Sequence, residues 1–146
     1  MSNEKIAGIM RDFVASLEKK DLEKALSFLT EDATWVTPHG TYKGKEEIRR
    51  SLKWEFALAQ EEKVTESGHG IMVQGDISFY EHFITLVVEG KKAEFLAMCA
   101  YEFKDDKIKN LRSVYDRLSL AKQLARGWLP QRIVNSVVKQ VEKGLH

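Results

Sequence analysis

The chain has 146 residues, with 23 Lys and Arg against 22 Asp and Glu, so its net charge is +1. No charge excess selects nucleic acid or an anionic membrane, and no apolar run approaches the length of a membrane-spanning helix. One cysteine, Cys99, excludes an internal disulfide framework and fits a reducing compartment, so a cytoplasmic location is expected. The charged start MSNEKIAGIMRDF is not expected to be a signal peptide.

Residues 4–19 carry Ile6, Ile9, Met10, Phe13, Val14 and Leu17 at spacings of three and four, which predicts a helix with one apolar face. Asp21 is placed to cap a second, shorter helix bearing Leu22, Ala25, Leu26 and Leu29. A short strand over 33–37 follows, with Ala33, Trp35 and Thr37 on one side. Pro38-His39-Gly40 breaks it. Residues 45–59 predict a third helix with Ile48, Leu52, Phe56 and Ala59 as its stripe and Trp54 off it.

The period then changes to two. Four strands are predicted, roughly 64–74, 76–89, 92–104 and 106–116. The turns between them are Gly75-Asp76, Glu89-Gly90-Lys91 and Asp105-Asp106. Short connections between long strands imply an antiparallel meander that curls strongly. Apolar residues occupy both faces of the middle strands. The N-terminal helices cover one face, and the other is expected to meet a second copy in a homodimer. Beyond Asp116, Leu118, Leu120, Ala121 and Leu124 suggest a helix. A further amphipathic helix over 131–143 is expected to dock over the pocket mouth or on a partner.

The last strand, KIKNLRSVYD, carries the main functional expectation. Two-residue alternation puts Ile108, Asn110, Arg112, Val114 and Asp116 on one face, half apolar and half ionisable. Such a face suits a pocket wall. A carboxylate there loses hydration, so its pKa rises, and it is suited to move a proton on carbon next to a carbonyl. The alternative is that Arg112 and Asp116 form a structural pair. His82 and Tyr80 share one parity of their strand, and either is placed to serve as a pocket donor or as plain core. Trp35, Trp54, Phe56, Met98 and Tyr101 are candidates for a hydrophobic lining, though aromatics at these spacings also serve as core. Met98 and Tyr101 have opposite parity, and the hairpin register that chooses between them is not fixed by the sequence. Tyr115, opposite in parity to Asp116, is expected outside the pocket, and His39 at its rim or in solvent. The scattered histidines do not make a metal site, and no phosphate loop or nucleophile elbow occurs.

Two segments carry a family resemblance. LEKALSFLTEDATWVTPHGTYKGKEEIRRSL is similar to the opening of the nuclear transport factor 2-like fold, and KDDKIKNLRSVYDRLSLAKQLARGWLP resembles the C-terminal signature of SnoaL-like polyketide cyclases. The resemblance implies an α+β fold in which a cone-shaped curled antiparallel sheet packs against the N-terminal helices, with a C-terminal helical extension. It also implies Asp116 as general acid/base. The expected function is a cofactor-free isomerase or cyclase acting on a small hydrophobic carbonyl compound. Asp116 would be the base, His82 or Tyr80 the oxyanion donor, and Arg112 a substrate contact. The alternative is a non-catalytic ligand-binding or dimerisation module of the same fold.

Overall fold

A computed structural model describes residues 2–145. The order is α1 (Asn3–Glu18), α2 (Leu22–Ser27), β1 (Leu29–Thr37), β2 (Gly40–Lys43), α3 (Gly44–Leu58), β3 (Glu61–Gln74), β4 (Ile77–Val88), β5 (Lys91–Lys104), β6 (Lys107–Tyr115), α4 (Arg117–Leu124) and α5 (Trp128–Val141). The Ser2 and Asp21 side chains accept from Lys5 N–H and Lys24 N–H, so α1 and α2 each begin on an oxygen cap. Ile6, Met10 and Phe13 of α1 are wholly buried, as their spacing predicts.

The six strands form one curled, unclosed sheet in the order β2-β1-β6-β5-β4-β3. β3 to β6 make the expected antiparallel meander. Asp105 and Asp106 both take positive φ, as a tight hairpin turn requires. Two features go beyond the sequence expectation. β1 starts at Leu29, four residues early, and runs parallel to β6. β2, unforeseen, forms a hairpin with β1 across Pro38-His39.

The core lies between the concave face of the sheet and α1, α2 and α3. Ala93, Phe95, Ala97, Cys99, Tyr101 and Phe103 of β5 all point into it. The convex face is bare: Met72, Phe79, Met98 and Val114 stand there about half exposed or more. α4 packs against β5, where Gln123 fastens it. Its amide oxygen accepts from Glu94 N–H at 2.9 Å and its amide nitrogen donates to Glu94 C=O at 2.8 Å. α5 packs against α4 and leaves Trp128, Ile133, Val137 and Val141 exposed, so it does not cover the cavity mouth.

β6 departs from simple alternation. Phe103 pairs with Ile108, but the next residue back, Glu102, pairs with Asn110, so Lys109 is an extra residue in the strand. A bulge of one residue exchanges the two faces of everything beyond it. Ile108 points inward, and after the bulge so do Leu111, Ser113 and Tyr115. Arg112, Val114 and Asp116 therefore face outward and are exposed.

Candidate functional site

The cone encloses a cavity of about 90 Å³. Phe13 of α1 and Trp35 of β1 stand on its inner wall, and their rings meet at 5.8 Å. The indole nitrogen of Trp35 donates to Ser113 Oγ at 3.0 Å, and Cys99 Sγ lies 3.3 Å from the same oxygen. Tyr101 lies beside them, 2% exposed. A second chamber of about 130 Å³ adjoins the first, bordered by Trp54, Leu58, Phe95 and Leu120. Glu55, Glu62, Ile84 and Tyr115 line both, so they form a waist between an inner chamber and a vestibule.

The waist holds the charge. Glu55 lies three residues after Leu52 and four before Ala59, on the apolar stripe of α3. Glu62 alternates with Val64 on the inward face of β3. Burial first, and then the negative charge of Glu62, push the Glu55 carboxyl up to about 7. Burial and then Glu18 raise Glu62, with Lys20 opposing them. Lys20 is otherwise engaged: its ammonium donates to the carbonyls of Phe56, Ala59 and Gln60 at 2.5–3.2 Å and so caps the end of α3. Glu18 is likewise used, accepting from Val64 N–H at 2.6 Å where the edge strand β3 begins. Neither Glu55 nor Glu62 makes a side-chain hydrogen bond or ion pair among the described residues.

His82 is 3% exposed and lines the inner chamber. Its Nδ1 lies 3.3 Å from Tyr80 C=O. A carbonyl only accepts, so Nδ1 carries the proton and Nε2 the lone pair. Burial lowers the His82 pKa, which favours the neutral ring. At the waist, burial and then Glu55 push the Tyr115 phenol up to about 12. Its oxygen lies 2.7 Å from His39 Nε2. His39 also meets the Trp54 ring edge-on, and burial and then Arg117 lower its pKa.

The sequence-predicted residues divide. His82, Trp35, Phe56 and Tyr101 line the inner chamber, and Trp54 borders the vestibule. Tyr80 lies behind His82, stacked on it at 4.4 Å, and its hydroxyl is not part of the chamber wall. Asp116 is placed otherwise than the alternation predicts. Its side chain accepts from Leu118 N–H and Ser119 N–H and caps α4, on the exposed side of β6. Arg112 faces outward and pairs with Glu102 at 2.7 Å, not with Asp116. Met98 stands on the convex face. Tyr115, expected outside, is inside.

Glu55 and Glu62 were missed, though each left a trace. An acid on an apolar helical stripe is anomalous, and extending β3 back by two residues puts Glu62 beside Val64 on the inner face. Among the described residues no three His, Cys, Asp or Glu side chains converge as metal ligands. The site provides two carboxyls that disfavour simultaneous charge, a neutral imidazole and a phenol, in a mostly apolar hollow. Such a set can take a proton at one atom and return it at another.

Solved structures with this architecture include a nuclear transport factor 2-like protein of unknown function from Burkholderia pseudomallei K96243. It has TM-score 0.76 and 15% identity, over 86% of this chain and 100% of that one. A candidate SnoaL-like polyketide cyclase from Shewanella denitrificans OS-217 aligns at TM-score 0.73 and 11% identity, over 82% and 96%. An LEH-like epoxide hydrolase of M. tuberculosis aligns at TM-score 0.72 and 17% identity, over 92% and 97%. At these identities the likeness shows the fold alone. None of the curated proteins compared with the chain matches it. The family model of the SnoaL-like domain matches residues 10–111, from the middle of α1 through β5 to the first half of β6, and the chain belongs to that family.

Proposed function

We propose that the chain is a small acid/base enzyme that isomerises or cyclises a small carbonyl compound without an organic cofactor, with Glu55 and Glu62 as its proton-transferring pair. The observation that carries this is the Glu55 carboxyl, held near 7 at the waist of the cone beside a second raised carboxyl. Near neutral pH the Glu55 carboxyl is poised to hold or release its proton, and with Glu62 beside it one member serves as base while the other serves as acid. The ionised member takes a proton from the carbon next to the carbonyl. The C–H electron pair becomes the enol double bond, and the carbonyl oxygen takes the proton of the other member. Reversal at a different carbon completes an isomerisation, and attack of the enol carbon on a second carbonyl completes a ring closure. His82 Nε2 accepts rather than donates, so in this scheme it orients a substrate N–H or O–H and is not the oxyanion donor. The role first expected of Asp116 passes to this pair.

The test needs no knowledge of the substrate. Small ketones in D2O exchange the hydrogens next to their carbonyl when a base enolises them, and NMR follows the exchange. The wild-type chain is expected to accelerate exchange for a subset of ketones small enough for the two chambers. Glu55→Gln should lower that acceleration by about 10²-fold or more. Exchange at the wild-type rate in Glu55→Gln would remove the proposal.

The convex sheet face supports a homodimer as a further part of this proposal. Met72, Phe79, Met98 and Val114 border one apolar groove of about 550 Å³ there. A second copy covers such a face most simply by two-fold pairing of the same strands.

A further inference from the structure

We infer that the site is built for a ligand carrying a protonated amine, bound at the waist between Glu55 and Glu62 with an N–H directed at His82. This rests on the reading of the two carboxyls as the chemical centre of the cavity, and it adds the substrate class.

The first ground is the charge. Among the described residues Glu55 and Glu62 are the only carboxyls that line either chamber, and no Lys or Arg lines either one. The nearby cations are engaged elsewhere. Lys20 is held by three backbone carbonyls, and Arg117 donates to Pro38 C=O at 3.0 Å. Burial lowers the pKa of both His82 and His39, and Arg117 lowers that of His39 further, which favours their neutral forms. An anionic substrate would meet two carboxyls and no counter-charge. Lys20, outside both chambers, opposes the Glu62 charge only in part, and a cation in the waist would supply a counter-charge directly.

The second ground is the direction of the hydrogen bonds, which is independent of the charge. His82 is buried, its Nδ1 is committed to Tyr80 C=O, and its Nε2 has no hydrogen bond among the described residues. An unpartnered acceptor on a buried residue that lines a cavity calls for a donor from the ligand. The Tyr115 hydroxyl is directed at His39. His82 Nε2 and the two carboxyls at the waist are acceptors, and an ammonium, which has N–H donors and no acceptor, suits them; the Ser113 hydroxyl on the same wall adds one donor.

The third ground is the lining. The rings of Phe13, Trp35, Phe56, Tyr101 and Tyr115 border the inner chamber. Aromatic faces attract a cation and equally suit the alkyl groups around it. The chamber's 90 Å³ limits the bound group to a few heavy atoms beyond the nitrogen.

There is a chemical consequence. A cation arriving beside the two carboxyls favours the ionised form of the nearer one. The ligand thereby holds one member ready as the base, while the other keeps the proton that the carbonyl oxygen takes.

The test is binding to the intact chain, read by shifts of backbone amide NMR signals from cavity residues. Isopropylammonium is compared with 2-propanol, its neutral counterpart, and with isobutyrate, an anionic one. At pH 8, isopropylammonium is expected to bind about tenfold or more tightly than either. Its affinity should fall on going to pH 5.5, as the waist takes up protons. The groups facing the waist that titrate or carry charge are Glu18, Lys20, Glu62, His82, Tyr115, His39 and Arg117. Glu62→Gln should cost about tenfold in affinity for the ammonium and leave 2-propanol unchanged. Equal or tighter binding of 2-propanol to the wild-type chain overturns the inference, whether or not the variant folds. Turnover is not the readout, so the ketone-exchange result can fail while this one stands, and the reverse.

Discussion

The Trp35 indole nitrogen and Ser113 Oγ lie 3.0 Å apart on the neighbouring parallel strands β1 and β6, so the floor of the cavity is closed by one hydrogen bond. Trp35 is 8% exposed, and water has little access to its N–H. Ser113→Ala leaves that donor buried without a partner. The expected loss is about 1–3 kcal/mol of unfolding free energy. Urea denaturation checks it, and Ser113→Thr, which keeps the oxygen, should recover most of the loss.

Ser113 is on that floor because of the bulge at Lys109, and the bulge separates what was legible in the sequence from what was not. The apolar spacings of α1 and the alternations of β4 and β5 were readable, since no irregularity interrupts them between His82 and Ile84 or between Ala93 and Phe103. The fold class followed from those elements. An extra residue in β6 leaves the local pattern looking continuous, because Ile108, Arg112, Val114 and Asp116 still alternate in number. Only pairing with β5 exposes the shift. The parallel partnership of β1 with β6 is equally silent, since it joins residues some eighty positions apart. Glu55 and Glu62 were hidden differently. Both sit among other charged residues, and their solvation depends on Tyr115 and Ile84, which the fold brings to them from elsewhere.

Asp116 should act as a helix cap. Asp116→Ala removes the acceptor for two N–H groups of α4. The loss should be about 1 kcal/mol, seen as faster amide exchange across residues 117–124. Ketone exchange in D2O should stay within twofold of wild type. A drop of a hundredfold would return the catalytic role to Asp116.

Stability should fall as pH rises from about 4.5 to about 7, to the extent that Glu55 governs it. Its folded carboxyl holds a proton up to about 7, while the unfolded one releases it near 4.5. Over that window the folded state binds more protons, so raising the pH favours unfolding; above it the cost is constant. The full shift corresponds to about 3 kcal/mol. Water in the vestibule reduces that to roughly 1–3 kcal/mol. Glu55→Gln should therefore be more stable than wild type at pH 8 by that amount, with the gain vanishing by pH 4.5. Urea titrations at the two pH values measure it.

The convex face gives a separate expectation. The wild-type chain should elute from size exclusion with light scattering at twice the chain mass. Met98→Lys puts a charge in the middle of the apolar groove and should shift the chain to the monomer at micromolar concentration. Met98 makes no contact with the inner chamber, so the Glu55 titration should be unaffected.

The most direct measurement is a 13C NMR titration of the Glu55 side-chain carboxyl in the free protein, assigned by its loss in Glu55→Gln. A midpoint near 7, moving downward in Glu62→Gln as the neighbouring charge is removed, is the predicted result. A midpoint near 4.5, unmoved by Glu62→Gln, would mean that water reaches the waist freely and that the cone holds no proton-transferring pair.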